Sequence, residues 1–262
     1  MRPVVLTIAG SDNSCGAGAQ ADLKTITALG CYAQTAITCV VAEIPGRVAA
    51  IQPVQPHIVA EQVRLSFEAF PVAAIKTGML YSTAIIRAVV AELGKLPILP
   101  PLVVDPVMAA SSGDPLLKKS AIAAYENLLF PHAALITPNL DELRILSGMP
   151  CKNVEEMKAA GRSLTRKFGV PFLLKGGHLR SREALDILAD ESGFVEFRAG
   201  FIRGADTHGT GCTFSAAIAA GLAQGLTLAE SVARAKLYIT AAITGRLRWK
   251  GTTALNHSGG RA

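Results

Sequence analysis

Short apolar runs that stop at glycine or polar residues alternate along this chain with longer stretches in which apolar positions recur every three or four residues. The first kind reads as buried strands, the second as helices packed on one face. Strands are expected at Pro3 to Ala9, Ala33 to Ala42, Val72 to Lys76, Leu102 to Val104, Ala133 to Thr137 and Phe172 to Leu174. Helices are expected at Ala19 to Leu29, His57 to Phe70, Thr83 to Leu93, Leu116 to Leu129 and Leu228 to Leu247, with another opening at Pro138-Asn139-Leu140-Asp141-Glu142. Ala184 to Leu188 and Phe194 to Phe197 read as a hairpin across Asp190 to Gly193. Such alternation predicts an α/β fold, a largely parallel sheet with helices on both faces, in a single domain over residues 1–250. The glycine-containing polar tail, 251–262, is expected to fray.

One stretch concentrates chemistry. From Asp206 to Gly225 a polar, glycine-rich half turns into an alanine-rich apolar half, so a loop feeds a buried helix near Gly209 to Cys212. Unpaired N–H groups and the helix dipole make that end a place for an anion. Gly209 and Gly211 carry no side chain to keep a phosphate away, and the Cys212 thiol, in the same turn, is expected to be drawn toward thiolate and to accept an alcohol proton. In parallel sheets ligands lie beyond the carboxyl ends of the strands. Glu43, Asp105, Glu142 and Lys175 all sit at or just past such ends. Together they suit phosphoryl transfer: Gly209 and Gly211 as donors, Lys175 as the cation, Asp105 and Glu142 for Mg²⁺ or its waters, and Cys212 as the base.

Composition narrows the partners. Of 262 residues half are apolar and 18% charged, which describes a globular chain. The net charge of +6 is dispersed, and nine Phe, four Tyr and one Trp do not interleave with basic residues, so no nucleic-acid partner is expected. No window reaches the ~18 apolar residues of a membrane span, and Val4 to Ala9 is too short for a signal-peptide core. Five cysteines without a Cys-x-x-Cys pair point to a reducing, cytoplasmic setting.

Rival motifs are weaker. Gly16-Ala17-Gly18-Ala19-Gln20-Ala21 fits a dinucleotide fingerprint, with Glu43 suitably beyond it, but Gly10 to Cys15 separate it from the strand. Gly94-Lys95 is followed by Leu96 and has no partner glycine, so there is no Walker A loop. Nothing resembles a zinc motif. A Cys212–His208 hydrolase pair gives no role to Lys175, Asp105 and Glu142.

Ala9 to Lys24, Ala-Gly-Ser-Asp through Gly-Ala-Gly-Ala-Gln-Ala-Asp-Leu-Lys, resembles the opening of the hydroxymethylpyrimidine and phosphomethylpyrimidine kinases, within the ribokinase superfamily. The likeness continues in order through Lys76 with Gly78-Met79-Leu80, Val104 to Met108, Thr137-Pro138-Asn139 with Glu142, Lys175-Gly176-Gly177-His178 and Thr207 to Thr213. It implies a ribokinase-like fold, usually a homodimer, with ATP along the glycine loop. It also implies that Gly10, Asp22, Glu43, Met79 and Val107 meet the pyrimidine, that Lys175, Thr210 and Gly211 hold ATP, and that Asp105 and Glu142 serve Mg²⁺. The implied reaction is phosphorylation of 4-amino-5-hydroxymethyl-2-methylpyrimidine and then of its monophosphate, in thiamine biosynthesis.

One position departs. Where that family has Thr-Ala-Gln-Asn-Thr, this chain has Val41-Ala42-Glu43-Ile44-Pro45. The family's glutamine offers a ring edge one donor and one acceptor, whereas an ionised glutamate only accepts. A pyridoxal-type kinase of the same branch is therefore the alternative, and a catalytically silent nucleotide-binding module the third reading.

Overall fold

The computed structural model describes residues 1–108, 119–177, 183–202 and 208–258. A sheet of nine strands runs through it: β1 (Val4–Asp12), β2 (Tyr32–Ile44), β3 (Arg47–Pro53), β4 (Val72–Thr77), β5 (Leu102–Val104), β6 (Leu135–Ile136), β7 (Phe172–Lys175), β8 (Glu183–Asp190) and β9 (Gly193–Gly200). The spatial order is β3-β2-β1-β4-β5-β6-β7-β8-β9. From β2 to β7 every pairing is parallel, while β3, β8 and β9 are antiparallel additions at the edges. Parallel strands covered on both faces are buried on both, which is why β5 is wholly apolar and β1 is apolar from Val4 to Ala9 except for the buried Thr7, with no alternation.

Successive side chains point to opposite faces, so each central strand feeds two cores. Leu6, Ile8, Ile75, Val104 and Ile136 pack beneath α2 (Pro56–Ala69), α3 (Thr83–Leu93), α4 (Lys119–Ala124), α5 (Leu140–Ser147) and α6 (Val154–Phe168). Val5, Val103, Leu135 and Leu173 pack beneath α1 (Gly18–Ala28), α7 (Thr210–Ala223) and α8 (Leu228–Thr244). Small residues, alanine above all, fill most of the buried face of α7, letting it lie close against β1, β4 and β5.

Several expectations need adjustment. Pro45-Gly46 does not end the sheet; Gly46 at φ 81° closes a turn into β3, an exposed edge strand with no apolar alternation to betray it. Two helices, not one, occupy the span between Asn139 and Phe172. The first stops where Gly148 enters the left-handed region at φ 69°, and the second starts at the Asn153 cap. Of the helix expected from Leu116, residues up to 118 lie outside the described ones; the rest is α4 followed by a wider π-turn over Tyr125–Leu129. α8 ends at Thr244.

The tail is the clearest correction. Residues 251–258 do not fray: β10 (Leu247–Trp249) and β11 (Thr252–Ala254) form a hairpin, after which Leu255 enters the core beside α7 and α8. The Asn256 N–H donates to the Ala242 carbonyl, and the Tyr238 hydroxyl donates to the His257 carbonyl at 2.8 Å. One apolar anchor and two hydrogen bonds are enough to seat a short segment. Residues 259–262 lie outside the described ones. Among the described residues no helix is long and apolar enough to cross a membrane.

Candidate active site

α7 packs on β1, β4 and β5, and Lys175 at the carboxyl end of β7 reaches its first turn. Gly209 caps that helix at φ 78°, and a Cβ there would lie 1.8 Å from the Gly16 carbonyl oxygen, so the loop after β1 and the start of α7 touch backbone to backbone. A Cβ on Gly211 would lie 3.2 Å from Lys175 Nζ and 3.6 Å from Asp105 Oδ2. Gly209 thus seats the turn on the loop after β1, and Gly211 leaves no side chain between the first turn and Lys175 and Asp105.

Lys175 Nζ and Asp105 Oδ1 pair at 2.8 Å, and the Ser215 hydroxyl donates to Asp105 Oδ2 at 3.1 Å. Glu142 is fixed by a capping box, accepting the Asn139 N–H at 2.8 Å on Oε2 and the Met108 N–H at 3.1 Å on Oε1. Burial raises the Glu142 carboxyl, Lys175 opposes this and Asp105 adds to it. Burial works against the Lys175 ammonium, but Asp105 and Glu142 outweigh it and lift its pKa, so it is charged at neutral pH. Each of these carboxylate oxygens engages one described donor, which leaves acceptor capacity for the water shell that Mg²⁺ usually keeps.

Cys212 does not behave as its place on the helix suggests. Enclosure pushes the thiol up to about 11; Lys76 and the Gly18 N–H pull it down, and Asp22 and Asp105 push it further up. The residue as a whole is half-buried. The resting state is therefore a thiol, because in this crowded site lost hydration outweighs the helix dipole.

The pyrimidine set divides. Gly10 and Met79 adjoin, since a Cβ at Gly10 would lie 3.8 Å from Met79 Sδ and 2.8 Å from Cys39 Sγ. The Met79 carbonyl is held by the Thr38 hydroxyl at 2.6 Å, and Val107, at φ 43°, follows β5. Asp22 is different. It is wholly buried, its Oδ2 bonded to Thr7 at 2.6 Å and to Lys76 at 2.8 Å, so it backs the pocket instead of lining it. Glu43 gathers with Asp12 and His208, one ligand atom from each lying within 4.8 Å of the others. Burial and the Asp12 charge raise the Glu43 carboxyl, and His208 lowers it. For Asp12 burial alone would raise the pKa, but hydrogen bonds from His208, Ser14 and Ala17 bring it down to about 2.

Sequence reasoning met Asp12 and Lys76 only inside the motifs that resemble the family and gave them no role, did not single out Ser215, and met His208 only in the rejected hydrolase pair and the last of those motifs. A charged residue at the end of the β4 apolar run was the further signal for Lys76. Asp206, Thr207 and His178 lie outside the described residues.

This fold and this site define a ribokinase-like small-molecule kinase. The pyridoxal kinase of Bacillus subtilis, solved with ADP, superposes with a TM-score of 0.90 at 34% identity, over 99% of this chain and 98% of that one. The family described as phosphomethylpyrimidine kinase matches residues 12–256, and the chain belongs to it. The hydroxymethylpyrimidine/phosphomethylpyrimidine kinase of Rhizobium meliloti is 43% identical, over 93% of this chain and 91% of that one. The thiamine biosynthesis bifunctional protein of Geobacter sulfurreducens is 46% identical over 92% of this chain, which spans 49% of that protein's length.

Proposed function

We propose that this chain, as one kinase domain, transfers the γ-phosphoryl group of ATP to the hydroxymethyl group of 4-amino-5-hydroxymethyl-2-methylpyrimidine and then to the resulting monophosphate, in thiamine biosynthesis. The observation that carries this reading is the meeting of the Gly209–Cys212 turn with Lys175 and Asp105 at the strand ends. Backbone N–H groups of that turn, with Lys175 and Thr210, hold the transferring phosphate and disperse its charge. Cys212 takes the hydroxyl proton as the alcohol oxygen attacks phosphorus. Gly10, Met79, Val107 and Glu43 orient the ring. Asp105 and Glu142 would hold Mg²⁺, directly or through its waters, and the ion would neutralise phosphate charge. We read the enzyme as a cytoplasmic homodimer, a setting that five free cysteines suit.

Glu43 in the place of glutamine, and a pyridoxal kinase so close in shape, favour phosphorylation of a vitamin B6 vitamer as the second reading. A coupled ADP assay with both alcohols separates them. Turnover of the pyrimidine is expected, and turnover of pyridoxal alone overturns the thiamine assignment. Cys212→Ala is expected to lower kcat by about 10²- to 10⁴-fold with ATP affinity nearly unchanged; undiminished turnover removes the sulfur from the reaction.

A further inference from the structure

Alternation along β4 sends Ile75 into the core beneath α2 to α6 and Lys76 to the opposite face, beneath α1 and α7. There its ammonium is sealed from water, 2.8 Å from Asp22 Oδ2 on α1, with both side chains at 0% exposure. Thr7 holds the same oxygen, and Asp22 Oδ1 is buried with no hydrogen-bond partner. A Cβ on Gly78 would lie 2.8 Å from Lys76 Nζ, so the chain leaves out a side chain where the ammonium sits. A fully buried ion pair is at best neutral for stability against apolar residues of the same volume. Its presence here calls for a role beyond holding the fold.

α7 lies across β4, and Lys76 and Cys212 interact electrostatically through that contact. We propose that Lys76 is the fixed counter-charge of the Cys212 thiolate, and that Asp22 anchors the ammonium while tempering its pull. Lys76 touches neither substrate nor nucleotide; it is a positioning residue that acts through the sulfur. The inference rests on Cys212 being the group that accepts the substrate proton. The thiol gives its proton to water, and the thiolate then takes the hydroxyl proton as the new O–P bond forms. The bond from γ-phosphorus to the bridging oxygen breaks, its electron pair leaving with ADP.

The charges around the sulfur come from four elements. Lys76 on β4 and Lys175 on β7 favour the thiolate, as does the Gly18 N–H at the start of α1, while Asp22 on α1 and Asp105 after β5 oppose it. Neutralising Asp22 should therefore act in the opposite direction to neutralising Lys76.

The test is the pH dependence of iodoacetamide alkylation at Cys212, measured without nucleotide, Mg²⁺ or alcohol. The modified peptide is read by mass spectrometry, since Cys15 is also partly exposed. Asp22→Asn leaves the ammonium unopposed, and its alkylation midpoint is expected about one pH unit below wild type. Lys76→Met with Asp22→Asn removes both charges without stranding either, and its midpoint is expected above wild type. The pH profile of kcat should move with the midpoint in each variant. Midpoints unmoved in folded variants, as judged by circular dichroism and Tm, overturn the proposal. If Asp22→Asn does not fold, the double variant against wild type decides alone. Full turnover by Cys212→Ala would instead sink the general-base reading, leaving the thiol titration to be judged separately.

Discussion

Two lysine–aspartate pairs, each at 2.8 Å, lie within one site, and their surroundings give them different work. Lys76–Asp22 is shut in completely, whereas the Lys175 side chain keeps 12% of its surface open, beside the tip of α7. Each ammonium lies against a glycine, Gly78 in one case and Gly211 in the other. An open cation meets a phosphate directly. An enclosed one reaches the reaction only through its field, and that field is strong because no water screens it.

The contrast breaks first on stability. Lys76→Met strands a buried carboxylate and is expected to cost about 3–5 kcal/mol in urea unfolding. A Tm equal to wild type would mean that Asp22 finds relief elsewhere and the pair is not sealed. Lys175→Met should fold, since its partner Asp105 keeps Ser215, yet lose about 10²- to 10³-fold in kcat. Collapse of that variant would make the open pair structural too.

A neutral buried imidazole supplies a control for both. Burial, aided by the charge of Lys24, holds His257 down to about 4 against a usual 6.5. The unfolded chain binds that proton first, so the associated stability is complete above pH 6.5 and is lost as pH falls toward 4. His257→Gln is expected to flatten the stability curve across that window by up to about 3 kcal/mol, while leaving the alkylation midpoint of Cys212 in place. The smallest effects fall on the glycines. Gly78→Ala crowds a pinned ammonium and should cost about 1–3 kcal/mol, whereas Gly211→Ala should change stability little and lower turnover roughly tenfold. Reversed outcomes, measured by melting and by initial rates, would erase the distinction between the two pairs.

The open pair was legible in the chain and the sealed one was not. Asp105 and Lys175 end apolar runs, and in a parallel sheet that position alone brings them to the ligand side. Cys212 and its glycines stood out because a loop turns into an alanine helix there. Lys76 and Asp22 are 54 residues apart, and Asp12 and His208 are 196 apart. Neither partnership leaves a local pattern, since helix packing and not spacing makes the contact. The edge strand β3 escaped for lack of an apolar period, whereas α6 was passed over although Val154, Met157, Ala160, Leu164 and Phe168 keep helical spacing behind the Asn153 cap. The thiol of Cys212 was misjudged because a dipole can be read from a helix start, while the amount of protein crowded around a sulfur cannot.

The hairpin after α8 bears on how the enzyme is made. Thr213, directly after Cys212, meets the His257 imidazole at 3.1 Å, so the reacting turn is braced by some of the last described residues. During synthesis the sheet can gather from its amino-terminal strands while this brace is still inside the ribosome. A nascent chain with every candidate site residue already translated would lack the strut that steadies its sulfur, and phosphoryl transfer would wait until His257 had emerged and docked on Thr213.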